Sequence, residues 1–132
     1  MHLGKAQIPT TFVALAVAGE WSAGAHLSEA QAPTEVILGS ASLIAHDMDT
    51  RPDLSPWLAS VFVAEQHRGK GIGTALVRRV VQEAGMLGVA NLYLFTTPDM
   101  YGFYARLGWT LIEHTHYRGY RQIVMTRSIA RP

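Results

Sequence analysis

An α+β domain of order β-β-β-α-β-α-β-β is the fold class that three features of this 132-residue chain predict. The run Trp57-Leu58-Ala59-Ser60-Val61-Phe62-Val63 carries apolar groups on both faces, as a central strand covered on two sides does. A glycine-rich turn follows it directly, and beyond the turn Ile72, Leu76, Val80, Ala84 and Leu87 recur at helical spacing, with Arg78, Arg79, Gln82 and Glu83 on the opposite side. Farther on, strand-like runs flank a second helix signal, Thr97-Pro98-Asp99.

In chain order, the first strand is expected over residues 11–17. Residues 18–34, rich in Ala, Gly and Ser with weak periodicity, read as a loop in which Pro33 stops any helical turn. The second strand covers residues 36–44 and ends in the polar run His46-Asp47-Met48-Asp49-Thr50-Arg51-Pro52-Asp53; a long loop of this kind suggests an antiparallel partner in residues 57–63. The amphipathic helix closes at Gly88, a glycine suited to the left-handed residue that ends helices. Residues 92–95 form the next strand. Thr97 then offers an N-cap hydroxyl and Pro98 a first helical position, opening a helix to about Leu107 that Gly108 caps. Residues 109–113 resume a strand, and Tyr117-Arg118-Gly119-Tyr120 turns into a closing strand over 122–125.

Size and composition suit one domain spanning residues 1–132: 48% of residues are apolar, and a chain this long buries enough surface to fold without disulfides or a structural metal. The chain has no cysteine, which excludes thiol catalysis and Cys-ligated metal centres. Eleven basic against ten acidic residues leave a formal charge of +1, which speaks against a nucleic-acid surface and makes any anion site local. Lys5, the apolar residues 12–18 and Ser22-Ala23-Gly24-Ala25 imitate a signal peptide, but residues 10–17 read equally well as a buried strand. No stretch approaches the roughly 20 apolar residues of a membrane span, so a cytoplasmic protein with no membrane partner is expected.

The turn Arg68-Gly69-Lys70-Gly71-Ile72-Gly73-Thr74 has the makings of a phosphate site. The first amides of a helix lack intrahelical partners and sit at the positive end of its dipole, and glycines let a ligand approach the backbone. A Walker A loop is excluded because Lys70 precedes Gly71-Ile72-Gly73-Thr74, and Gly-x-Gly-x-Gly is not the dinucleotide fingerprint.

This turn, set between strand and amphipathic helix, resembles the pyrophosphate-binding motif of the GNAT (GCN5-related N-acetyltransferase) superfamily, Gln/Arg-x-x-Gly-x-Gly/Ala. Phe103-Tyr104-Ala105-Arg106-Leu107-Gly108-Trp109 is similar to the superfamily's Tyr-x-x-Leu-Gly-Phe segment, with Trp109 in place of the usual Phe. The resemblance covers about residues 36–127. It implies a mixed, mostly antiparallel twisted sheet with flanking helices. It also implies acetyl-CoA as co-substrate, with the pyrophosphate on the amides of Arg68, Gly69, Lys70, Gly71, Ile72, Gly73 and Thr74. The pantetheine arm would run along Val61, Phe62 and Val63, where that strand splays from residues 92–95. Tyr104 matches the tyrosine that protonates the departing sulfur, with Tyr101 as a possible substitute. Thr97 stands where many members carry a pantetheine-binding Asn.

The general base is less visible. Glu65, at the end of the cofactor strand, is the candidate from position; a solvated loop carboxylate is the plainer reading. His46, Asp47 and Asp49 could line an acceptor pocket, and Glu35, Asp47, Asp49 and Asp53 could attract a cationic amine. His46-Asp47-x-Asp49 has no further ligands to make it a metal site, and His114 and His116 read as surface residues. The superfamily's acceptor wall ahead of the cofactor motif is reduced here, to be replaced by residues 18–34, supplied by a second subunit of a homodimer, or left open. The expected activity is N-acetyl transfer to a small-molecule primary amine. The alternatives are an acyl-CoA-binding module without turnover, acetylation of a protein amino group, and a phosphate-binding regulator without CoA.

Overall fold

The computed structural model describes residues 8–17, 20–29 and 36–129. Among these residues seven strands form one sheet: β1 (Thr10–Val17), β2 (Glu20–His26), β3 (Val36–Ile44), β4 (Trp57–Val63), β5 (Asn91–Thr96), β6 (Thr110–Tyr117) and β7 (Tyr120–Ser128). Their spatial order is β2-β1-β3-β4-β5-β7-β6, and every neighbouring pair is antiparallel except β4 with β5. Helix α1 (Ile72–Met86) connects β4 to β5, and the six-residue α2 (Tyr101–Arg106) lies between β5 and β6.

The α+β class holds, but the element order gains a strand. Residues 20–26, expected as loop, form β2, so the order is β-β-β-β-α-β-α-β-β. β2 is an edge strand that pairs with β1 alone, from Phe12↔His26 to Val17↔Glu20, and none of its residues is fully buried. A strand with so little to bury needs no apolar alternation, which is why Glu-Trp-Ser-Ala-Gly-Ala-His does not announce one. The last two strands are longer than their apolar centres suggested, because the two-residue turn at Arg118 (φ 54) and Gly119 (φ 84) lets β6 and β7 pair along their whole length.

Two apolar clusters cover the two faces of the sheet. On one, α1 presses Ile72, Leu76, Val77, Val80 and Ala84 onto Phe12, Leu38, Leu43, Leu58, Leu92 and Leu94. Full burial of each of the Val, Leu, Ile and Phe side chains among them contributes about 1.5–3 kcal/mol. On the other, the β3–β4 loop folds back over the sheet. Met48 and Leu54 of that loop pack with Trp57, Tyr117 and Val124, and Trp57 Nε1 donates to the Leu54 carbonyl at 2.8 Å. The loop that reads as a polar run is therefore anchored by its two apolar residues, which fixes where its acidic groups stand.

The parallel pair β4/β5 holds register at Trp57↔Tyr93 and then opens. The cause lies in β4, where Ser42↔Ala59 is followed by Ser40↔Phe62, so three residues of β4 span two of β3. Ser60 takes the left-handed conformation this bulge demands (φ 56). The bulge bends the second half of β4 away from β5 and leaves a gap at the carboxyl ends of both strands. Among the described residues no helix is long and apolar enough to cross a membrane.

Candidate active site

β4 ends at Val63 and passes through a 3-10 turn, Glu65–His67, into the glycine turn and α1. Gly69 (φ +82) and Gly71 (φ +83) occupy left-handed conformations that side chains disfavour. Gly71 is the N-cap of α1 and supplies no capping side chain. The first helical bond runs from Ala75 N to Gly71 O at 3.0 Å, so the amides of residues 72–74 remain free for an anion. Arg68 adds charge at the mouth of the turn.

These amides open on a cavity of about 720 Å³ at the β4/β5 gap. From the residues singled out in the sequence it is lined by Val61, Phe62, Val63, Arg68, Gly69, Gly71, Ile72, Gly73, Thr74 and Tyr104, joined by His67, Thr96, Met100 and Phe103. Lys70 is exposed outside that lining, its Nζ 3.5 Å from His67 Nδ1. Glu65 is exposed and lines neither this cavity nor the next. Thr97 is exposed too, and the N-cap expected of it is corrected: its side chain makes no capping hydrogen bond, and a 3-10 turn (Pro98–Met100) intervenes before α2. Its neighbour Thr96 faces the gap instead, because successive side chains at a strand end point to opposite sides.

Tyr104 is 5% exposed, packed edge-on against Phe103 (4.9 Å between centroids) and Trp109 (6.1 Å). Burial pushes its phenol up to about 12. Tyr101, 47% exposed, lines neither cavity.

A second cavity of about 300 Å³ continues through the gap and shares Val61, Thr96 and Tyr104 with the first. Its remaining lining is Asp47, Leu58, Ala59, Ser60, Leu94 and Phe95. Among the described residues Asp47 is the one carboxylate lining either cavity, and burial raises its pKa despite the opposing charge of Arg118. The sequence grouped it with other loop acids; the structure separates them. Asp49 pairs with Arg118 at 3.4 Å, Asp53 pairs with Arg51 at 3.1 Å, and Arg51 also reaches Glu113. Glu35 lies outside the described residues. His46, His114 and His116 are exposed. Among the described residues no three His, Cys, Asp or Glu side chains gather as a metal site.

The result is one channel with cationic and amide donors at one end, a single carboxylate at the other, and a buried phenol where they meet. Comparison with known proteins agrees with the topology. The model of the acetyltransferase (GNAT) domain matches residues 23–111, 89 of the 132. The uncharacterized N-acetyltransferase YobR of Bacillus subtilis is 33% identical over 64 residues, 46% of this chain; the match spans only 26% of that protein's length. Among solved structures, the fold is similar to the IAA acetyltransferase from Bacillus cereus (TM-score 0.56, 22% identity, 70% of this chain and 71% of that one). It is also similar to a GNAT family acetyltransferase from Elizabethkingia anophelis with acetyl-CoA bound (TM-score 0.55, 19% identity, 74% and 72%). With its family model matched over two-thirds of its length, and with the split sheet and glycine turn described above, the chain belongs to the GNAT acetyltransferase domain family.

Proposed function

We propose that this protein is an acetyl-CoA-dependent N-acetyltransferase that moves the acetyl group to a primary amine of a small molecule by direct attack on the thioester. The observation that carries this reading is the meeting of the two cavities at Val61, Thr96 and Tyr104, one leading to the glycine turn and the other to Asp47. The free amides of residues 72–74 and Arg68 suit the pyrophosphate of the co-substrate. The half of β4 beyond its bulge, unpaired by β5, offers backbone groups to the amides of the pantetheine arm.

Bound acetyl-CoA supplies a thioester carbon open to attack and a sulfur that departs with the C–S bond. Tyr104 keeps its proton throughout the neutral range, so it enters as a donor to that sulfur. Asp47 is placed to hold the ammonium form of the acceptor and to take the proton that must leave before nitrogen attacks. Its cavity walls, Leu58, Ala59, Val61, Leu94 and Phe95, suit a compact apolar substituent on the amine.

Thiol release from acetyl-CoA with a panel of primary amines tests the reading. The wild type should turn over, and Tyr104→Phe should lower kcat by about 10²–10⁴ while leaving acetyl-CoA affinity unchanged. Cofactor binding without turnover on any amine would favour the acyl-CoA-binding alternative.

A further inference from the structure

A third cavity, of about 340 Å³, shares no lining residue with the channel. Its charged wall is made by Arg78 of α1, Arg106 of α2 and Arg127 of β7; Gln82 is its remaining polar side chain besides Trp109, and Val77, Val81 and Leu107 are its aliphatic residues.

Among the described residues, three cations and no acid line this cavity. No carboxylate among the described residues pairs with Arg78, Arg106 or Arg127, whereas Arg79 and Arg118 each hold one and Arg51 holds two. Arg127 is nevertheless fixed in place: Nε donates to the Leu107 carbonyl at 3.2 Å and Nη1 to the Ser128 carbonyl at 3.0 Å, bonds that position the guanidinium without neutralising it. Trp109 is 3% exposed, and its Nε1 is the one buried side-chain polar atom left without a partner among the described residues. A wall of three guanidinium groups that no carboxylate among the described residues neutralises is complementary to an oxyanion. Guanidinium forks match phosphate geometry, and the aliphatic residues would receive the organic part of the ligand.

We propose that this cavity is a second oxyanion site, separate from the glycine turn, that takes a phosphate monoester through Arg78, Arg106 and Arg127. Two sources carry that chemistry: a free phosphorylated metabolite, or the ribose phosphate at the far end of coenzyme A.

Inorganic phosphate, titrated calorimetrically into the full chain saturated with dephospho-coenzyme A and, separately, with coenzyme A, tests the site and tells the sources apart. The expected result is saturable binding in the dephospho form, weakened at least tenfold in Arg78→Gln/Arg106→Gln. Both side chains are exposed, and a thermal melt verifies the fold of the variant. Phosphate binding that persists with coenzyme A bound points to a free phosphorylated ligand, and binding that coenzyme A blocks points to the cofactor's own phosphate. Absence of phosphate binding in the dephospho form, or binding unchanged in the variant, overturns the proposal. Should neither coenzyme bind, the acetyltransferase reading fails on its own account, and the same comparison on the free protein still decides the cavity.

Discussion

Arg68 donates from Nε to the carbonyl of Val63 at 3.1 Å, tying the glycine turn back to the last residue of the strand that feeds it. The tie couples the charge at the helix N-terminus to the part of β4 that β5 leaves unpaired. Arg68→Ala should therefore weaken acetyl-CoA binding about 10–100-fold, the scale of a lost hydrogen bond to a charged group. Arg68→Lys, which keeps the charge but not the fork, should recover part of the loss. Calorimetry on the three proteins checks this.

Gly73 separates stability from binding. It sits in the first turn of α1, where an added Cβ would meet Val63 Cγ2 at 3.6 Å and Phe103 Cζ at 3.7 Å, ordinary contact distances. Gly73→Ala should stabilise the fold by up to about 1 kcal/mol through helix propensity. It should also weaken acetyl-CoA binding, because the methyl group enters the cavity lining. Denaturant unfolding and calorimetry on the same sample would show the opposed changes.

Tyr104 gives stability a pH signature. Its folded pKa, about 12, lies above the ordinary 10, so its contribution is fully present below pH 10 and is lost as pH rises toward 12. The loss amounts to as much as about 3 kcal/mol, and Tyr104→Phe should remove that part of the alkaline slope. Urea unfolding of both proteins between pH 9 and pH 11 measures the difference.

How much of this was legible in the sequence varies with the physical reason. Strands β3 and β4 and helix α1 were, since runs of apolar residues long enough for a strand, or recurring at helical spacing, mark each of them. The expected cover on both faces of residues 57–63 holds only for their first half, because Phe62 is exposed beside the gap, as are Val36 and Ile37 at the start of β3. Strand β2 was not, because an edge strand with half-exposed residues leaves no such pattern. The glycine turn was legible because its backbone conformation requires the glycines. The distinction between Asp47 and its neighbours was not, because it depends on Arg118, which pairs with Asp49 across 69 positions, and on the anchoring of the loop by Met48 and Leu54. The bulge at Ser60 carries no sequence mark, since serine is not a residue that left-handed geometry selects. The third cavity draws its arginines from three elements that no motif connects.

Asp47 carries the reading of the acceptor. Burial raises its folded pKa, so its contribution to stability is present below the ordinary carboxylate pKa and is lost as pH rises through the folded value. Above the folded value the ionised carboxylate is thus a net cost, so Asp47→Asn should raise the Tm more at pH 7 than at pH 3. The same substitution should raise KM for a primary amine at least tenfold without changing acetyl-CoA affinity. Melts at the two pH values and steady-state kinetics with the amine varied test both halves.

The central claim is that the glycine turn and the open edge of β4 form an acetyl-CoA site, and calorimetric titration of the purified chain tests it most directly, with NADH and ATP as controls. The structure predicts saturable, micromolar binding of acetyl-CoA at one site per chain, with neither control binding comparably. An acetyl-CoA titration without saturable heat, or one matched by ATP, would contradict it.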